Sequence, residues 1–447
     1  MPWTAWRGPS SRGRTLPGGL WGRGYSGEDV KRGSLGPCYF ILHRFACNAP
    51  THNTNSRLIW IASPERGGGS RQRTGGVVSQ AQHPPAPSGQ PPLQGGLSFP
   101  LDANWYDVFS VPLPKRLVLQ VDDPRLLETP WSAWITVARA RLLAVHASGS
   151  GDRVFVGASS LVCHGIALWE ANPDVFVWAH TRRGSKPLRA VRAAGFLVPA
   201  VSVRWSIAPP LEKKLQSVGG VLAEAASDAA VRMACWSEHL SAFVGVCMVL
   251  NRLSSFSIFS QDACRGRAEE VRSEMLARLA QWSQQTGNIP SRRAQVIIRA
   301  ADPGCENPAE AALLWVLKSV SAFEVVTQFE IVINGHRYFA DIAIPGLMII
   351  FEFDGIGKLG KDDAEFVRAK RDWIQRENDL RSAGWTIYRV SWSDYEDVVR
   401  LRAWVAEVLA PYQASIPALA QSLWAPPTAA CDGPHRRFHM GAFRRWS

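Results

Sequence analysis

The sequence predicts an α/β protein in which a C-terminal αβββαβ unit follows a mixed α+β body and an N-terminal segment expected to be disordered. Three observations predict this. An apolar fraction of 46% over 447 residues is enough for one large core or for two to three ordinary domains. The last third alternates strand-like and helix-like periods, in the order helix, three strands, helix, strand, helix. The first hundred residues sustain neither period.

Residues 1–100 are Gly, Pro, Ser, Arg and Trp in irregular order, ending in "HPPAPSGQPPLQGG". Only "CYFILHRF" and "RLIWIA" break the pattern, so disorder is the expectation. Sequence of this kind also resembles translated GC-rich noncoding DNA, which raises a start assigned too far upstream; peptides recovered from residues 1–90 would exclude it. The body, 101–300, opens with a strand in "RLVLQV" (116–121) and a helix over 130–148, with Trp134, Val137, Ala138, Arg141, Leu142 and Val145 on one stripe. "DRVFVGASSLVCHGIALW" predicts a short strand and then a helix opened by Ser and stopped at Gly165. "DVFVWAH" and "AVSVRWSI" are strands, and residues 219–302 a helical stretch with solvated Arg/Glu faces.

The C-terminal unit spans 301–412. Asn307-Pro308 starts a helix carrying Glu310 in its first turn. "VVTQFEIVI" and "RYFADIAI" flank Asn334-Gly335, the signal of a tight hairpin. Pro345-Gly346 then turns into "LMIIFEF", whose apolar residues fill both faces and so predict a central strand covered on both sides. A polar helix over 363–383 stops at Gly384, "WTIYRVSW" gives a further strand, and a last helix covers 396–409. Residues 413–447 are expected to be a basic tail.

Charge narrows the partners less than the net +12 suggests. Residues 1–100 carry 11 Lys/Arg against 3 acids, and 432–447 four Arg against one Asp, whereas 101–431 hold 35 basic and 34 acidic residues. Basicity therefore belongs to the chain ends and is weak evidence for DNA binding by the body. Eight cysteines without a CxxC pair argue against a structural zinc and for a reducing compartment. "LSAFVGVCMVL" is too short to cross a bilayer, and the N-terminus has no apolar signal core, so a soluble cytoplasmic protein with no membrane partner is expected.

Two acids, Glu352 and Asp354, interrupt the central strand. An unpaired carboxylate at that depth costs several kcal/mol, so it must pair, neutralise or hold a cation. The residues leave both outcomes open: Asp341 and Glu352 on adjacent strands could share a Mg²⁺ or Mn²⁺, or Glu352 could be neutralised by Arg371, Arg376 or Arg389. Glu310 is equally a first-turn acid favoured by the helix dipole. His164 reads as a helix-end histidine, and His336 sits beside the hairpin turn.

Glu310, Asp341 and Glu352 on first helix, second strand and third strand resemble the restriction-endonuclease-like, PD-(D/E)XK layout. "FADIAIPGLMIIFEFDGIGKLG" with "RENDLRSAGWTIYRVSWSD" resembles more narrowly an actinobacterial domain of unknown function related to very-short-patch-repair endonucleases, through Glu352-Phe353-Asp354-Gly355, Lys358, Gly360, Arg376, Leu380, Gly384, Trp385 and Arg389. "VFVGASSLVCHGIALW" and "RRAQVIIRAADPGCE" resemble AbiEi-type antitoxins and transcriptional regulators. The resemblance implies Mg²⁺-dependent phosphodiester hydrolysis, with Asp341 and Glu352 as metal ligands, Glu310 assisting, and Asp354 or Lys358 handling the water. It also implies DNA contacts from Arg371, Arg376 and Arg389. Its alternative is a non-cutting regulator with a toxin partner. This chain departs from the motif where Asp354 replaces the usual Lys, and it lacks an evident winged helix-turn-helix.

Overall fold

Fifteen strands and ten α-helices are seen in the computed structural model, which describes residues 58–62, 110–111, 117–121, 124–148, 153–180, 186–206, 208–211, 215–286, 289–354 and 363–427. The disorder expected for residues 1–100 falls outside them, except that part of "RLIWIA" is strand β1 (Leu58–Ala62). It pairs antiparallel with β3 (Leu117–Val121), whose other neighbour is β2 (Ser110–Val111). Helix α1 (Pro130–Ala147) follows, with Thr129 and Ser132 forming a reciprocal cap and Pro130 in its first turn. No helix-turn-helix pair lies among the described residues of 101–150.

Six short strands build the sheet of the body, in the order β10-β11-β4-β5-β9-β6: β4 (Val154–Phe155), β5 (Val175–Trp178), β6 (Lys186–Leu188), β9 (Val201–Trp205), β10 (Gln216–Val218) and β11 (Val221–Ala223). A separate hairpin, β7 (Val191–Ala193) with β8 (Phe196–Val198), turns at Ala194-Gly195. Helix α2 (Ala158–Cys163) starts after Gly157 rather than at a Ser, because Gly157 holds a φ of 54° that a side chain would strain. Residues 219–225 are not helical as expected. Gly219 and Gly220, with φ of 57° and 83°, make a two-residue turn between β10 and β11.

The helical layer then runs through α3 (Ala226–Trp236), α4 (His239–Ser254), α5 (Gln261–Thr286) and α6 (Ser291–Ala300). Where α2, α3 and β11 meet, Glu224 and Arg232 form an ion pair only 2% and 5% exposed. Glu224 also accepts from the Gly157 amide at 3.1 Å, and Arg232 donates to Ser206 Oγ and to the carbonyls of Ala208 and Pro209.

Beyond residue 301 come α7 (Pro308–Lys318), β12 (Val326–Ile333), β13 (His336–Ile344), β14 (Ile349–Phe353), α8 (Asp363–Ser382), β15 (Thr386–Val390) and α9 (Val398–Leu409). The four strands form one sheet in sequence order, antiparallel except for the parallel β14–β15 pair. All five residues of β14 are buried. Ile349, Phe351 and Phe353 enter the main core, while Ile350 joins Leu380 and Trp385 on the α8 side.

The chain is stitched together across residue 301. Arg265 pairs with Asp302 at 3.0 Å and donates to the Thr327 carbonyl, Asn251 donates to the Pro303 carbonyl, and one apolar cluster runs from Leu142 to Leu423. Part of the expected basic tail is structured as well. Helix α10 (Ala418–Leu423) docks on α7, where the fully buried Trp315 donates to the Leu423 carbonyl at 3.0 Å and stacks on Trp424 with ring centroids 4.4 Å apart.

Candidate functional site

The acids singled out in the sequence lie around one end of β14. Glu352 is 7% exposed and faces α8. Arg376 sits four residues before the fully buried Leu380, on the helix stripe that meets the sheet. Its Nη2 donates to Glu352 Oε1 at 2.5 Å and to the Phe339 carbonyl of β13 at 2.9 Å. Arg389 is the register partner of Glu352 on β15; its Nη2 lies 3.9 Å from Glu352 Oε2 and donates to Glu377 Oε2 at 2.8 Å. Its Nε is 4.0 Å from Asp354, whose side chain is 56% exposed, and its guanidinium covers the exposed Trp373 at 4.5 Å from the ring centroid. Arg381 completes the chain by donating to Glu377 Oε1 at 2.9 Å. Three guanidinium groups therefore alternate with Glu352, Glu377 and Asp354. Arg371 is exposed, and Lys358 lies outside the described residues.

Asp341 occupies a break in the ladder. Strand β12 pairs Thr327 with Ile342 and Phe329 with Ala340, but Gln328, opposite Asp341, adopts a φ of 49°. Strand β13 changes face there, because Ala340 belongs to the cluster on the α8 side and Ile342 to the main core. On the other side of β13, where the pairing with β14 stops at Ile342–Phe351, the Asp341 carboxylate accepts from the Phe353 amide at 3.0 Å.

Glu310 is 4% exposed and takes part in starting α7. It accepts from the Glu306 amide at 2.7 Å and from Asn307 Nδ2 at 2.6 Å, while Asn307 Oδ1 accepts from the amides of Ala309 and Glu310. The Tyr395 hydroxyl donates to the Ala309 carbonyl beside it. Burial first, then the charges of Glu310, Cys305, Asp394 and Asp341, push this phenol well above its ordinary pKa, so it stays protonated. His164 contacts the Glu224 carbonyl with Nε2, and His336 is exposed at the hairpin.

The donor set does not fit a divalent ion as it stands. Glu352 already touches a guanidinium, one Asp341 oxygen serves the backbone, and Glu310 caps a helix. Among the described residues no group of three or more His, Cys, Asp or Glu is disposed to hold a metal ion. Glu377 and Trp373 were not singled out in the sequence; the Glu377/Arg381 spacing of i,i+4 was the one available signal.

Burial alone would raise the Glu377 carboxyl, but hydrogen bonds from Arg389 and Arg381 and their charges outweigh it and hold the pKa below its ordinary 4.5. A depressed folded pKa adds stability above the unfolded pKa and loses it as pH falls through the folded value. The urea midpoint is therefore expected to fall on acidification below about pH 4.5, and Glu377→Gln to remove part of that fall. Equal acid sensitivity in variant and wild type would contradict this.

No family model, curated protein or solved structure matches the chain. Among the described residues no single helix is long and apolar enough to cross a membrane, and the five cysteines there are free and buried.

Proposed function

We propose that this chain is a cytoplasmic DNA-binding regulator of the AbiEi antitoxin type, acting with a toxin partner, in which residues 301–412 form a restriction-endonuclease-like domain that holds DNA without cutting it. The observation that carries the non-cutting reading is the ion pair of Glu352 with Arg376. A domain that cuts with Mg²⁺ needs that carboxylate for the metal, and Asp354 stands where the motif usually has a Lys. The domain reading rests on the order α7-β12-β13-β14-α8-β15, on the single mixed sheet, and on Glu310, Asp341 and Glu352 being carried by α7, β13 and β14. Arg389 against the exposed Trp373 offers a cation and an aromatic face beside the acids, a combination that suits phosphate and base.

The same three carriers favour a second reading, a Mg²⁺- or Mn²⁺-dependent endonuclease that uses Asp341 and Glu352. One experiment separates the two. The full chain is incubated with supercoiled, linear and single-stranded DNA and either metal, beside Asp341→Ala and Glu352→Ala. Retention of DNA that weakens steeply with salt, without cleavage by any form, is the expected result. Metal-dependent cleavage lost in both variants would replace the regulator by the nuclease, and absence of retention at low salt would remove both.

A further inference from the structure

Arg376 holds a position with the character of a cation site. Its Nη2 lies between a carboxylate oxygen of β14 and a main-chain carbonyl oxygen of β13, 2.5 Å from Glu352 and 2.9 Å from Phe339. These are hard oxygen donors from two adjacent strands, the kind that a small divalent ion also takes. The neighbouring guanidinium cannot substitute for it. Arg389 keeps 3.9 Å from Glu352 Oε2 because its Nη2 is bonded to Glu377, and its plane is held against Trp373. Among the described residues Arg376 is thus the cation hydrogen-bonded to Glu352, and Arg389 a more distant second charge.

We propose that Arg376 is a resident substitute for the divalent ion: its guanidinium fills the cation position between β13 and β14, and shortening it converts the pocket into a Mn²⁺ site that depends on Glu352. The inference rests on the non-cutting reading above and extends it from an observed ion pair to a reason why metal is kept out. A buried carboxylate that loses its partner must find another cation or become neutral. Mn²⁺ would satisfy that need with Glu352, the Phe339 carbonyl and water.

The test uses no DNA, so it fails or succeeds apart from the cleavage and retention experiment. Mn²⁺ binding to the full chain is read by the loss of the free-ion electron paramagnetic resonance signal. The forms compared are wild type, Arg376→Met, Arg376→Lys, Glu352→Gln and the double variant Arg376→Met/Glu352→Gln. Arg376→Met is expected to gain one Mn²⁺ per chain, with a Kd at least about tenfold below that of any binding in the wild type, which is about 1.4 kcal/mol. The double variant loses that ion, and Arg376→Lys, which keeps a cation, gains none. A cooperatively folded Arg376→Met that gains no Mn²⁺ overturns the proposal. So does Mn²⁺ binding by the wild type that disappears in Glu352→Gln, since metal would then sit beside an intact Arg376. Should Arg376→Met not fold, that last comparison decides alone: equal Mn²⁺ binding by wild type and Glu352→Gln upholds the exclusion.

Discussion

Replacing Glu224 by alanine is expected to destabilise the protein by about 3–5 kcal/mol, a loss large enough to unfold a marginal chain at physiological temperature. Glu224 and Arg232 are both more than nine-tenths buried, so removing the acid leaves a guanidinium in the interior with neutral partners, the acceptors Ser206, Ala208 and Pro209 and the rings of Trp236 and Trp282. The Gly157 amide loses its acceptor in the same step, at the entry to α2. The Glu224 backbone joins β11 to β4 and to α2, through the Phe155 carbonyl and the Ser160 hydroxyl. Alanine keeps those main-chain bonds, and the side-chain contacts it loses are the ones that tie β11 to the start of α2 and to α3. Urea denaturation of Glu224→Ala, Arg232→Met and the double variant checks this. The double variant should recover part of the loss, because it removes the stranded charge. A Glu224→Ala midpoint within error of the wild type would contradict the account.

Trp315→Ala is expected to cost about as much, 3–5 kcal/mol, through a different mechanism. The indole is fully buried in α7, and its loss opens a cavity between helices that cannot close around a methyl group. It also removes the donor to the Leu423 carbonyl and the stacking surface under Trp424, which Arg402 covers on its own account at 4.7 Å. Helix α10 has only six residues and holds its place by docking rather than by its own propensity. Faster proteolytic cleavage within residues 413–427 should therefore accompany the drop in denaturation midpoint. A destabilised variant that keeps wild-type resistance there would show that α10 is held by other contacts.

The C-terminal elements were legible because each carried a strong local signal. Asn334-Gly335, with φ of 50° and 80°, makes the predicted hairpin, and Gly384, with φ of 91°, ends α8 where expected. The continuous apolar run of β14 correctly announced a strand covered on both faces. Arg141 was placed on the apolar stripe of α1 and is indeed fully buried, where desolvation brings its pKa down to about 10. The body was harder to read. Strands β6, β7, β8 and β10 have three residues each, too few for a period of two to register. The Ala-rich run after Gly219-Gly220 favours helix locally, so the hairpin hid inside a helical pattern.

At the site, the residue types were legible and their partners were not. Three arginines were equal candidates for Glu352, and helix geometry chooses between two of them. Arg371 lies five residues before Arg376, which rotates it about 140° away from the face that Leu380 turns to the sheet. The flip of β13 at Asp341 had no counterpart in the sequence, since alternation assumes an unbroken ladder and the break originates on the opposite strand, at Gln328.

Beside that break, on the edge of β13 that faces β14, Asp341 has a double identity. Its carboxylate serves as a piece of main chain, standing in for the carbonyl that the Phe353 amide would otherwise meet. Any ion or ligand that captured this oxygen would be competing with the sheet itself, and its arrival would be felt as a loosening of β13 from β14, one residue beyond Glu352. Occupancy and strand pairing are thus two readings of a single proton's choice of acceptor.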